Sequence, residues 1–118
     1  MPIHFTADKK TLVSLIQPTM TAVSSRNTLP ALEGLLFTLQ GNELSVCGYD
    51  LEKGVKTVTQ VQGLSDGAVI LNAQKVFAIV RNFPDCDITF RSDDKYFVTI
   101  TGGMSEYSIH GLGSDAFP

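Results

Sequence analysis

A chain of 118 residues, 43% apolar and 18% charged, has room for one domain, and a domain of this size buries roughly two thirds of its unfolded surface. Such a composition excludes an intrinsically disordered chain, and no apolar stretch approaches the roughly 20 residues of a membrane-spanning helix. The net charge of −3 by itself argues weakly against a nucleic-acid partner.

In chain order, Ile3-His4-Phe5 reads as a short strand, and Thr6 or Asp8 can cap the helix that follows. Leu12, Leu15, Ile16, Met20 and Val23 recur at spacings of three or four and form one apolar stripe, with Lys10, Ser14, Gln17 and Thr21 opposite. Pro18 interrupts the pattern. It removes the N–H that would bond the Ser14 carbonyl, at about 3 kcal/mol in a helix interior, so a kink or a break into two pieces is expected there. A loop ending at Pro30 then leads into three strands, 35–40, 43–49 and about 54–61, the first two joined by a turn at Gly41-Asn42. Residues 63–67, Gly-Leu-Ser-Asp-Gly, read as a turn-rich connector.

The second half repeats that order. Residues 68–71 form an apolar strand, and Asn72 is a good helix cap. Val76, Phe77, Ile79, Val80 and Phe83 supply an apolar stripe opposite Gln74, Lys75, Ala78, Arg81 and Asn82, and Pro84 ends the helix. Three more strands follow, 87–91, 95–101 and 104–110, with turns at 92–94 and at Gly102-Gly103. The expected fold is α+β. It consists of two β-α-β-β-β units in a single domain, 1–118, with both helices packed on one face of antiparallel sheet.

Charge is segregated along this plan. The helical regions with their following loops, 8–30 and 72–84, hold Lys9, Lys10, Arg26, Lys75 and Arg81 against Asp8 alone; the remainder holds four basic and eleven acidic residues. Segregation of this kind lets an acidic protein turn one face toward phosphates. Chemistry is sparse elsewhere. His4 and His110 belong to no metal-binding or catalytic motif, the carboxylates of Asp85, Asp87, Asp93 and Asp94 bracket strands, and the glycines match no phosphate-cradling loop. Cys47 and Cys86 lack metal-ligand spacing and read as reduced thiols in strand-like segments. No enzyme activity, metal or cofactor is expected. The opening residues show no signal-peptide pattern, so a cytoplasmic location is expected.

The stretch 24–52 carries more information than any other. It runs Ser24-Ser25-Arg26-Asn27-Thr28-Leu29-Pro30, then Ala31-Leu32-Glu33-Gly34-Leu35-Leu36-Phe37, and closes on Gly48-Tyr49-Asp50-Leu51-Glu52. Its order and identities resemble the first domain of the bacterial DNA polymerase III β subunit family, the sliding clamps. Similarity extends to Ile3-His4-Phe5, to the run from Leu71 to Pro84, to the strand Gly103-Met104-Ser105-Glu106-Tyr107-Ser108-Ile109, and to the close on Asp115-Ala116-Phe117-Pro118. The family closes on Asp-Phe-Pro, so Ala116 is a small departure.

The resemblance implies a DNA-clamp (processivity) fold and a non-catalytic role: the first of three domains in a subunit of a head-to-tail homodimeric ring. That ring encircles double-stranded DNA without reading its sequence and tethers the replicative polymerase. Polymerase III and the clamp loader would bind through domains absent from these 118 residues, and this piece alone would be monomeric and would hold duplex DNA weakly. Arg26 corresponds to a DNA-contacting loop position. Gln74 stands where many relatives carry a basic contact residue, and Lys75 matches the neighbouring basic position, near both the lumen and the subunit interface. Lys9, Lys10 and Arg81 are candidates to face the lumen. Lys75, Ile79, Met104, Glu106 and Ser108 fall at the dimer interface, where some relatives have basic residues in place of Met104 and Glu106. The competing expectation is a module of the same helix-on-sheet architecture that binds a protein or small ligand and ignores DNA.

Overall fold

The computed structural model describes residues 2–23 and 30–118. Its elements are β1 (His4–Asp8), α1 (Lys9–Ile16), β2 (Gly34–Gln40), β3 (Glu43–Tyr49), β4 (Gly54–Gln60), β5 (Gln62–Ser65), β6 (Gly67–Asn72), α2 (Ala73–Asn82), β7 (Asp87–Ser92), β8 (Phe97–Gly102) and β9 (Ser105–His110), with short 3-10 turns at Gln17–Ala22, Pro30–Glu33 and Ser114–Ala116.

The α+β class and the antiparallel pairing are as expected, but the strands form two sheets rather than one. One has the order β5-β1-β7-β8-β9 and the other β4-β3-β2-β6. Each half of the chain lends its first strand to the other half. β1 pairs with β7 across five positions, from His4↔Arg91 to Asp8↔Asp87, and β6 pairs with β2 across six, from Gly34↔Asn72 to Leu39↔Gly67. The exchange makes the halves inseparable, because neither sheet is complete without the other half's strand. Alternate residues of both sheets point into one core that also takes Leu12, Leu15 and Ile16 from α1 and Val76 and Val80 from α2. Phe90 of β7 sits at its centre, stacked on Phe5 of β1 at 4.9 Å and on Phe37 of the other sheet at 5.9 Å. Burying apolar side chains of this size stabilises by about 1.5–3 kcal/mol each.

The first helix breaks where Pro18 stands. α1 ends at Ile16, and Gln17–Ala22 continue as a 3-10 turn with Pro18 in its opening positions, where the missing N–H costs no helical bond. The Thr19 hydroxyl is buried and donates back to the Ile16 carbonyl. Asp8 occupies the N-cap of α1 but makes no side-chain capping bond; the first amide, of Lys9, instead donates to the Cys86 carbonyl at 3.0 Å. Asn72 does cap α2, accepting from the Lys75 amide at 3.0 Å. Cys47 and Cys86 are both free and half-buried.

Residues 62–65 differ from expectation. The stretch read as part of a connector is β5, an edge strand paired with β1. Gly63 brings the chain within contact of the β2–β3 turn, since a Cβ there would lie 1.6 Å from the Gly41 carbonyl oxygen. Asn42 fastens the same junction, accepting from the Val61 amide at its own carbonyl and from the Gly63 amide at Oδ1. The Asp50-Leu51-Glu52 corner is likewise structural. The Asp50 carboxylate accepts from the Lys53 and Glu52 amides at 2.8 and 2.9 Å, which hold its pKa below the usual carboxylate value.

Candidate nucleic-acid interface and subunit edge

At 3.6 residues per turn, α2 presents two flanks to solvent, and they serve different neighbours. Arg81 lies on the flank beside α1, while Lys75, Ala78 and Ile79 lie on the flank beside β9. Sequence periodicity places Gln74 with Arg81, and Gln74 is exposed.

On the α1 side, Lys9, Lys10, Val13, Ser14 and Gln17 of α1 and the turn after it line an open trough with Arg81 and Asp85. Cations more than seventy residues apart in the chain are thus neighbours, but they are not equivalent. Lys9 is half-buried, and its ammonium donates to the carbonyls of Arg81, at 3.0 Å, and Phe83. Those carbonyls lie at the C-terminal end of α2, where helical acceptors lack partners and where the helix dipole favours a cation. Lys9 therefore joins the start of α1 to the end of α2. Lys10, one residue on, turns outward and pairs with Asp85 at 3.5 Å, both side chains being largely exposed. Arg81 lies over the Phe77 ring, 5.6 Å from its centroid, and among the described residues its guanidinium has no carboxylate partner. The trough can meet an anion chiefly through Lys10 and Arg81.

On the other flank, Lys75, Ala78 and Ile79 line a hollow with Asn72, Ser108, Ile109 and His110. Here the fold gathers three of the expected interface residues, Lys75, Ile79 and Ser108. β9 forms one edge of its sheet, so the outward backbone groups of Ser105–His110 have no strand partner among the described residues. Tyr107 and Ile109 anchor the strand inward, Tyr107 edge-on to Phe83 at 5.3 Å. Glu106 and Ser108 project outward, and Met104 stands fully exposed at the hairpin tip before them, away from the hollow. Arg26 lies outside the described residues. His110 stacks on Phe97 at 4.0 Å.

Sequence reasoning missed Asp85 as a member of the trough and Asn72 and His110 as lining of the hollow. Asp85 looked like one of several turn carboxylates; only the approach of α1 to the end of α2 gives it a partner. Among the described residues no helix is long and apolar enough to cross a membrane, and no group of three or more His, Cys, Asp or Glu side chains is arranged to hold a metal ion.

Residues 3–118 match the family described as DNA polymerase III beta subunit, N-terminal domain. A beta sliding clamp from Halalkalibacterium halodurans is 30% identical over 98% of this chain and 33% of its own length. The crystal structure of a DNA polymerase sliding clamp from Bacillus subtilis superposes with a TM-score of 0.96 at 26% identity, over 100% of this chain and 33% of that one. A sliding clamp, DNA polymerase III subunit beta, from Pseudomonas aeruginosa superposes at 0.94 with 27% identity, over 100% and 32%. The chain spans about a third of the length of these relatives.

Proposed function

Because the chain belongs to the family of DNA polymerase III beta subunit N-terminal domains, we propose that it is the first domain of a ring-shaped, non-catalytic clamp that encircles duplex DNA in the cytoplasm and tethers the replicative polymerase. The trough between α1 and the end of α2 carries this reading. There Lys10 and Arg81 face solvent on the helical side of a chain that is acidic elsewhere. Exposed lysine and arginine that meet phosphates loosely add affinity without fixing register, which is what sliding requires. Gln74 and Lys75 on α2, together with Arg26, extend the same proposed DNA-facing role.

The β9 edge is the proposed contact with the partner subunit. Its unpaired backbone can continue a sheet across the interface, with Lys75, Ile79, Met104, Glu106 and Ser108 around it. On this reading the surface complementary to the β9 edge belongs to another domain of the ring, so this domain alone would be a monomer that binds duplex weakly.

Titration of a short labelled duplex at several salt concentrations tests the DNA-facing role. Each phosphate contact contributes about −0.9 to the slope of log K against log salt, so Lys10→Gln and Arg81→Gln should each flatten that slope and weaken binding on every sequence alike. Unchanged binding in both variants would refute the proposal and favour a protein- or ligand-binding module.

A further inference from the structure

We infer that Asp85 sets the strength of the DNA-facing trough by competing with phosphate for Lys10, an inference that rests on the clamp reading above. Three cations gather in the trough, but the fold leaves them unequal freedom. Lys9 is committed to the carbonyls of Arg81 and Phe83. Lys10 has its ammonium 3.5 Å from the Asp85 carboxylate. Among the described residues, Arg81 alone of the three has neither a carboxylate nor a carbonyl partner for its charged group; it lies over the Phe77 ring instead.

Asp85 lies just after Pro84 in the exposed turn leaving α2, and its position contributes nothing evident to folding. Among the described residues its side chain makes no capping bond; it is 66% exposed, and the pair spans two exposed groups. Such a pair is worth little to stability, with a median of about 0–1 kcal/mol. Its effect on a passing phosphate is larger in proportion. A carboxylate beside the cation competes directly for the ammonium, and it repels phosphate as well. Asp85 is therefore a positioning residue, acting on DNA through Lys10. It keeps the salt-sensitive part of binding small, as a ring that must move along DNA requires.

The test is a double-mutant cycle on the 118-residue chain, using shift titration with a short duplex at 50 and 200 mM salt. Asp85→Asn should tighten binding and steepen the salt slope by the share of one contact that wild-type Lys10 does not make, less than about 0.9. The variant-to-wild-type affinity ratio should therefore be larger at 50 mM than at 200 mM by less than about fourfold. In a Lys10→Gln background the gain from Asp85→Asn should largely vanish. Asp94→Asn, at the exposed β7–β8 turn, controls for net charge and should change binding much less. The inference is overturned if Lys10→Gln weakens binding while Asp85→Asn does nothing, or if the Asp85→Asn gain survives undiminished without Lys10. If neither Lys10→Gln nor Arg81→Gln alters wild-type binding, the clamp reading of this face fails, and the inference fails with it.

Discussion

Replacing Lys9 by Met separates two lysines that look alike in the sequence. The Lys9 ammonium donates to two carbonyls at the end of α2, one exposed and one partly buried. A bond from a charged donor contributes about 1.5–3 kcal/mol. Solvent screening reduces the exposed bond to about 0.5 kcal/mol, leaving a loss of about 2 kcal/mol for both. Met keeps most of the aliphatic stem, so packing changes little. Unfolding entropy of about 2.1 cal/mol/K per residue gives about 0.25 kcal/mol/K for this chain, so Tm should fall by about 8 °C. Lys10→Met removes only an exposed ion pair and should cost less than about 0.5 kcal/mol. Urea and thermal unfolding, followed by circular dichroism at matched pH and salt, would measure both. A Lys9→Met variant as stable as wild type, or a Lys10→Met variant equally damaged, would refute the assignment of Lys9 as the tie between the helices.

Two further outcomes follow from local electrostatics. Asp8 and Asp87 stand directly opposite each other in the β1–β7 ladder, where like charges are destabilising, so Asp87→Asn should raise stability by about 0.2–1 kcal/mol in urea titrations at neutral pH. Asp50 has a pKa held below its ordinary value by the Lys53 and Glu52 amides. Its ionised form therefore stabilises the fold above about pH 4, the unfolded value, and that contribution disappears as pH falls through the folded value. Wild type should exceed Asp50→Asn in stability at pH 6, and the gap should close on acidification; a gap independent of pH would contradict the role of the charge.

The parts legible in the sequence are those fixed by near neighbours. The Asn72 cap, the Pro18 break, the Pro84 stop and the Gly41-Asn42 turn each depend on a few adjacent residues, and each was recoverable from them. The division into two sheets was not. It arises from β1 pairing with β7 and β6 pairing with β2, partners that alternation along one strand does not identify. β5 escaped notice because four residues containing Gly63 carry no usable period. The site was half legible for the same reason. Segregated basic residues marked the helical face, yet Lys9 and Lys10 are about 100° apart on α1, and only the position of the α2 terminus decides which one is spent inside the fold. Asp85 acquires its role from that same contact.

The central claim is that duplex DNA runs along the helical side of this domain. Mapping backbone amide shifts of the isotopically labelled chain on adding a short duplex at low salt tests it most directly. The perturbations should cluster on Lys10, Ser14, Gln17, Gln74 and Arg81, should fade as salt rises, and should leave the outward residues Thr89, Thr99 and Ser108 of the β7–β8–β9 sheet unmoved. Perturbations centred on those sheet residues, or none at the lowest salt, would contradict the account.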